Sequence, residues 1–369
     1  MTITLYAAPQ SLYSGRARSY LIKAGLDYRE QAFNTQHYRE NVLPKAGGRQ
    51  SLPTIEMEDG TVVRDGAAII DYFEAQNGGA FSPRTPKQRV LSRLFDAIGA
   101  EGLLRPAMHY RWNFDDLNLE FLRFYFEALM PAGMRDRAED VMNQMRRGGE
   151  AFGAVAETFE LVESLYEAAL ERLNDHFGAQ PYLLGGRPCI GDFGMIAPLY
   201  GHLGRDPKPL AMMQASAHEL FRWVERMNRP EPDLFGFPDA EADYLPDDEI
   251  PETLIALLKQ LAVDFVPETR AAAATINQWL ADQADLEPGT TAERTVGFCS
   301  FEVDGVTVNA IAQPYRFFML ARVQAEVAGL ADGDRTDVLA LLEACGMSEV
   351  LAMTLTRPIG RSNNLEVWE

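Results

Sequence analysis

The sequence predicts a small mixed α/β unit, then an all-helical domain, then a mainly helical extension that carries a β-hairpin. Three observations predict this. Short β-branched runs alternate with helical stretches only as far as Gly78. Beyond residue 86 apolar positions recur at three- and four-residue intervals. In "FELVESLYEAALERL", Phe159, Val162, Leu165, Tyr166, Ala169, Leu170 and Leu173 form one stripe. Near the C-terminus, "VGFCSFEVDGVTVNAIAQPY" centres on Val-Asp-Gly-Val, a hairpin signal.

The elements follow in order. "TITLYAA" alternates as a strand and ends near Pro9. "SGRARSYLIKAG" reads as a helix closed by Gly25, which suits the left-handed residue past a helix end. "DYREQAF" reads as a second strand. Residues 34 to 50 are polar, with Pro44 and the Gly47-Gly48 pair, and read as a loop with one helical turn. "TIEME", the turn Glu58-Asp59-Gly60 and "TVV" form a hairpin, and "GAAIIDYFEAQNG" a helix ending at Gly78. The order is β-α-β-loop-β-β-α. A βαβ half makes its strands parallel and a hairpin adds an antiparallel pair; that combination is thioredoxin-like.

"FSPRTPKQ" is a linker. Helical spacing then covers 86–113, 117–130, 132–148, 154–177, 190–204 and 211–228. "FPDAEADYLPDDEIPE" is acidic and carries prolines, which marks a boundary. In the extension, "TLIALLKQLAVDFV" and "RAAAATINQWLADQ" read as two helices, and "FFMLARVQAEVAGL" and "DVLALLEACG" as two more. The predicted domains are 1–80, 86–240 and 245–369.

With 369 residues, 47% hydrophobic and 24% charged, the chain is globular and too long for one ordinary core. A net charge of −20 disfavours nucleic acid and anionic membranes as partners. Cys189, Cys299 and Cys345 form neither a CxxC pair nor a disulfide framework and read as buried thiols. His37, His109, His176, His202 and His218 have no HxH or HExxH spacing, so no metal is predicted. The N-terminus lacks a basic, apolar leader, and no apolar run approaches the ~20 residues of a membrane span; the expected location is cytoplasmic.

The stretch "SLPTIEMEDGTVVRDGAAIIDYFEAQNG" holds two features of chemical interest. Pro53 stands at the mouth of a strand. Asp65 and Gly66 open a helix whose free N–H groups and partial positive charge suit a carboxylate. The plainer reading is that Leu52–Pro53 is an ordinary trans entry and that Asp65 only caps its helix. A second motif, "GGRPCIGDFGMIAPLYGHL", places Cys189 and Asp192 at the two ends of a weakened capping box, read as structural because a thiol accepts poorly.

Together, a thioredoxin-like unit with this proline and hairpin segment, and a helical domain with this capping-box helix about 130 residues later, resemble the cytosolic glutathione transferase superfamily. The resemblance covers residues 1 to about 240 and, less firmly, the whole length of bacterial members with a C-terminal extension. It implies a cis Pro53, with the N–H and C=O of Leu52 pairing an extended peptide-like ligand. It implies glutathione as co-substrate, its carboxylate at the helix start and its α-ammonium on Asp65. Gly66 admits the ligand to the backbone, although family members usually carry Ser there.

The resemblance also implies a hydroxyl that holds the glutathione thiolate and lowers its pKa. The candidates are Ser11, then Ser14, then Tyr13, with Tyr6 the weakest. Ser14 also reads as a helix cap, and Arg16 and Arg18 as helix-surface charges. No Cys precedes residue 189, so thiol–disulfide exchange by the N-terminal unit is disfavoured. Met108, His109, Arg111 and Trp112 lie on the helix that lines the family's electrophile cleft; as alternatives, Met108 and Trp112 are core residues. The expected function is a glutathione-dependent transferase or lyase, of serine or tyrosine type, acting on a small apolar electrophile. The alternative is a non-catalytic binding or scaffold protein of the same fold. The resemblance further implies a two-fold dimer, which the extension could prevent.

Overall fold

The computed structural model describes residues 2–131, 133–231 and 234–369. Its N-terminal unit has strands β1 (Ile3–Tyr6), β2 (Tyr28–Gln31), β3 (Thr54–Glu56) and β4 (Val62–Arg64), with helices α1 (Leu12–Lys23) and α2 (Gly66–Gln76). The sheet order is β2-β1-β3-β4. β1 pairs parallel with β2, and β3 antiparallel with both β1 and β4. This is the predicted thioredoxin-like order. Ile3, Leu5, Ile55, Ala17, Tyr20 and Ile69 are buried between sheet and helices, as the alternation of the strands and the stripes of the helices require.

The helical domain comprises α3 (Pro86–Glu101), α4 (Leu104–Trp112), α5 (Asp115–Leu129), α6 (Ala138–Ala151), α7 (Phe159–Ala179), α8 (Ile190–Gly201), α9 (Pro207–Ser216) and α10 (His218–Met227). Two predicted helices are each split. The stretch 86–113 breaks at Gly102–Leu103, where a Cβ on Gly102 would lie 3.1 Å from Phe265; the break lets the extension approach. The stretch 211–228 breaks at Ala217, with φ −137° and ψ 61°. The helix expected over 132–148 starts at Ala138, and residue 132 lies outside the described residues.

Helix α8 is the hub of this domain. A Cβ on Gly99 of α3 would meet the carbonyl carbon of Gly194 at 2.2 Å, so the two backbones touch. The Cys189 N–H donates to Asp192 Oδ2 at 2.9 Å, and Oδ1 accepts from Trp223 Nε1 at 3.0 Å.

The extension contains α11 (Glu252–Ala281), the hairpin β5 (Phe298–Val303) and β6 (Val306–Ile311), α12 (Pro314–Ala328), α13 (Asp332–Ala344) and a second hairpin, β7 (Ile359–Ser362) and β8 (Leu365–Trp368). The two helices expected before the first hairpin are one. Pro267 sits inside α11, and burial of Leu254, Leu258, Phe265 and Ile276 offsets the hydrogen bond that Pro267 cannot make, a defect of about 3 kcal/mol. The second hairpin was not predicted. Its Asn363-Asn364 turn, with both φ values positive, is a hairpin turn that the sequence reading passed over.

The extension is packed as core, not appended. Helix α11 lies against α7, and α12 against α3. Between them runs a buried chain of charge. Asp264 pairs with Arg105. Arg105 Nη2 stands 3.0 Å from Glu268 Oε2, and Glu268 Oε1 stands 3.0 Å from Arg316 Nη2. Among the described residues no helix is long and apolar enough to cross a membrane.

Candidate functional site

The Leu52–Pro53 peptide is cis. Pro53 accepts at its carbonyl from the Asp65 N–H at 3.0 Å, which fixes the strand mouth beside the start of α2. Among the described residues, neither the N–H nor the C=O of Leu52 takes a hydrogen-bond partner. That leaves one donor and one acceptor for an extended ligand.

Asp65 has φ 84° and ψ 137°, a backbone conformation that costs a side-chain-bearing residue roughly 1–3 kcal/mol. The strain turns its carboxylate back on the helix, where Oδ1 accepts from the Ala67 N–H at 3.0 Å and the Ala68 N–H at 3.2 Å. Oδ2 is taken by the extension: the Tyr315 hydroxyl donates to it at 2.9 Å. Burial disfavours the charged form of Asp65, but Arg361, Arg16 and Arg64 with the Tyr315 donor outweigh it and hold the carboxyl below its ordinary range. Gly66 faces Arg16, and a Cβ on it would lie 3.0 Å from Arg16 Cδ. Arg16 is therefore not a surface charge. It is buried and paired with Asp96, which lies 3.5 Å from Arg322 of α12. Arg18, read the same way, pairs with Glu30 at 2.6 Å.

Other extension residues close the rest of this face. Asn364 Nδ2 donates to the Val62 carbonyl at 2.9 Å and Asn364 Oδ1 accepts from the Arg64 N–H at 3.1 Å, so one side-chain amide stands in for a strand beside edge strand β4. Arg64 Nη2 donates to both Glu366 carboxylate oxygens, at 2.8 and 2.7 Å. The segment before Leu52 is tied down by Arg49 Nη2 on the Ala292 carbonyl at 2.8 Å and Arg294 Nη2 on the Gln50 carbonyl at 3.0 Å. Sequence reasoning missed Tyr315, Asn364 and Glu366, because nothing local marks contacts made across some 250 to 300 residues.

The candidate hydroxyls stand together at the start of α1. Ser11 caps the helix, its Oγ accepting from the Ser14 N–H at 3.4 Å. Ser14 is buried, and its Oγ accepts from the Ala8 N–H at 3.4 Å. The Tyr13 hydroxyl donates to the Ala100 carbonyl at 3.4 Å. Burial, then Glu101 and Asp65, push the Tyr13 phenol well above its ordinary value, so it remains a donor at neutral pH. Tyr6 is turned away, its hydroxyl donating to Glu56 Oε2 at 2.9 Å.

The four residues on α4 do not meet at one surface. Arg111 is buried and fully engaged, with Nε on Asp206 at 2.6 Å, Nη1 on the Gln10 carbonyl at 2.8 Å and Nη2 on the Gly201 carbonyl at 3.0 Å. His109 is buried beside Phe159 with Nε2 3.0 Å from Glu163; burial lowers its pKa against the pull of that carboxylate. Trp112 packs in a small core with Leu122, Phe126 and Met142, and Met108 borders it. Among the described residues no three His, Cys, Asp or Glu side chains gather as metal ligands.

A mixed four-stranded sheet, a cis proline before β3, a carboxylate at the start of α2 and a helical domain behind them define a glutathione transferase-like protein. Residues 5–81 match the family model for the glutathione S-transferase N-terminal domain. No curated protein matches it. Solved structures it is similar to include a glutathione S-transferase from Sinorhizobium meliloti 1021, with 16% identity over 70% of this chain and 99% of that one and a TM-score of 0.39. Beta-etherase LigF from Sphingobium sp. strain SYK-6 shows 18% identity over 64% and 99%, with a TM-score of 0.40. A Methylobacterium radiotolerans glutathione S-transferase, in complex with glutathione sulfonate, shows 17% over 66% and 99%, with a TM-score of 0.37.

Proposed function

We propose that this chain is a glutathione transferase-like protein whose glutathione head-group site is held shut by its own C-terminal extension, so that its resting form acts as a binding or scaffold protein and not as a conjugating enzyme. One observation carries this reading. The Asp65 carboxylate, the group that would receive the α-ammonium of glutathione, has one oxygen on its own helix and the other on Tyr315. A ligand would have to displace a hydrogen bond to a charged group, worth roughly 1.5–3 kcal/mol.

Calorimetric titration with reduced glutathione tests it, run on the wild type, Tyr315→Phe and Asp65→Ala. The reading expects little heat from the wild type, binding by Tyr315→Phe, and none by Asp65→Ala. Millimolar or tighter binding by the wild type, abolished in Asp65→Ala, would overturn it.

A second reading is favoured by the unpartnered backbone of Leu52 and by the hydroxyls Ser11, Ser14 and Tyr13 gathered at the start of α1. In it the extension yields to substrate, and the chain is a glutathione-dependent transferase or lyase acting on a small apolar electrophile, as a cytoplasmic monomer or two-fold dimer. Conjugation of chlorodinitrobenzene by the wild type, lost in Ser11→Ala or in Tyr13→Phe, would favour this reading over the first.

A further inference from the structure

A second cleft lies at the opposite end of α2 from the covered site, just past its last residue, Gln76. It has a volume of about 630 Å³, within the range of small-molecule sites, and is walled by the 77–88 linker, Arg187 and residues 243–247. Neither Asp65, Tyr315 nor any candidate hydroxyl borders it.

Its charges are unusual in one respect. Arg84 and Arg187 line it, and so do Asp243 and Asp247. Among the described residues, neither arginine forms an ion pair or a hydrogen bond, with these aspartates or with any other group. On a chain of net charge −20, with acceptors everywhere, two unpaired guanidiniums beside two carboxylates are not what a merely solvated surface predicts. The arrangement leaves a gap between opposite charges that is wider than an ion pair.

Arg187 is also held in place. Its guanidinium carbon lies 5.7 Å from the Phe81 ring centroid and 5.9 Å from that of Tyr244. Phe81 is fixed in turn, because it is buried and its N–H donates to both Glu74 oxygens. Tyr244 is fixed by its hydroxyl on the Pro188 carbonyl at 3.1 Å and by its backbone bridge to Gly185. A guanidinium seated on aromatic faces keeps its five donors for a ligand and loses little freedom on using them.

We infer that this cleft binds a small zwitterion of the amino-acid or short-peptide kind. Its carboxylate sits on Arg187 and Arg84, and its ammonium on Asp247 and Asp243. The two rim carboxylates repel a plain anion, and the two arginines repel a plain cation. Only a ligand with both charges, spaced to span the gap, satisfies all four groups.

The test is calorimetric titration of the full chain with glycine, glutamate and triglycine. N-acetyl-triglycine, which lacks the ammonium, and inorganic phosphate serve as contrasts. At least one zwitterion is expected to bind at millimolar or lower concentration. Removal of the ammonium and the Arg187→Gln substitution are each expected to weaken that binding about tenfold or more. Asp247→Asn, at an exposed position, guards against misfolding of the arginine variant and is expected to weaken the same ligand. The inference is overturned if none of the three zwitterions gives heat at 10 mM on the order of solubility-limited titrations. It is equally overturned if Asp247→Asn and Arg187→Gln leave the affinity unchanged, or if phosphate binds as tightly as the best zwitterion.

Discussion

The Tyr315 hydroxyl donates to Oδ2 of Asp65 at 2.9 Å, joining the first turn of α12 to the first turn of α2 across 250 residues. Two helix starts meet there, and the phenol completes the coordination of a carboxylate that its own helix satisfies only in part. The C-terminal extension thus bears directly on the part of the fold where we propose that a γ-glutamyl head is held.

Removing that hydroxyl separates a latch from ordinary packing. Tyr315→Phe keeps the ring against Phe318 and deletes one donor to a charged group, so it is expected to cost about 1.5–3 kcal/mol of stability. A packing defect lowers stability and leaves ligand affinity unchanged or worse. A latch lowers stability and raises glutathione affinity. Urea unfolding and calorimetry on the same variant distinguish the two.

Asp65 should also mark the acid limb of the stability curve. Its folded pKa lies below the ordinary value of 3.8. A depressed carboxyl contributes stability that is fully present above the unfolded pKa and is lost as pH falls through the folded one. Wild-type stability is therefore expected to decline below pH of about 4, and the decline should be shallower in Asp65→Asn. Parallel acid limbs in the two proteins would remove Asp65 from the account.

The edge of the sheet offers a third test. The Asn364 amide pairs with Val62 and Arg64 and donates to the Lys45 carbonyl at 3.0 Å. Its φ of 64° is one that Asn tolerates and Ala does not. Asn364→Ala is expected to lose about 2–4 kcal/mol and to free the last hairpin for proteolysis. Asn364→Gly, which relieves the backbone but not the lost amide, should fall between. If Asn364→Gly matches the wild type, the amide contributes nothing and only the turn conformation matters.

What the sequence made legible follows from the range of the interactions. The Glu58-Asp59-Gly60 turn, the Asp65 cap and the Cys189–Asp192 box are each closed within a few residues, so residue types at short spacing betray them. Asp65 and Pro53 are brought together by a local hairpin, and they were legible for the same reason. Arg16 was not, because its neighbours on α1 gave it the look of a surface charge, while its partner Asp96 lies 80 residues on. Tyr315 and Glu366 reach the site from further still, and one chain without its relatives contains no record of such pairings. The break at Gly102 was hidden by an apolar stripe that runs on through it; the approach of Phe265 decides it.

The buried carboxyl of Glu101 gives the last prediction. It is 3% exposed, its Oε2 has no hydrogen-bond partner among the described residues, and burial raises its pKa from 4.5 to about 7. Arg316 and Arg16 favour the charged form, while Glu268 and Asp65 oppose it. The Tyr13 phenol, itself raised in part by Glu101, is the other ionisable neighbour. A carboxyl with a raised pKa contributes stability that is fully present below the unfolded value and is lost as pH rises through the folded one. The shift from 4.5 to about 7, at 1.36 kcal/mol per unit, corresponds to about 3 kcal/mol lost across that window. The wild type is therefore expected to lose stability between pH of about 4.5 and 7.5, and Glu101→Gln to lack that decline. Its absolute stability at low pH tests the rest of the argument. If Glu101→Gln is weaker than the wild type there and equal to it or stronger at high pH, the two curves cross, and the crossing identifies a carboxyl that folds protonated. Curves that stay parallel across the window would mean that Glu101 is ionised in the folded chain, balanced by Arg316 and Arg16.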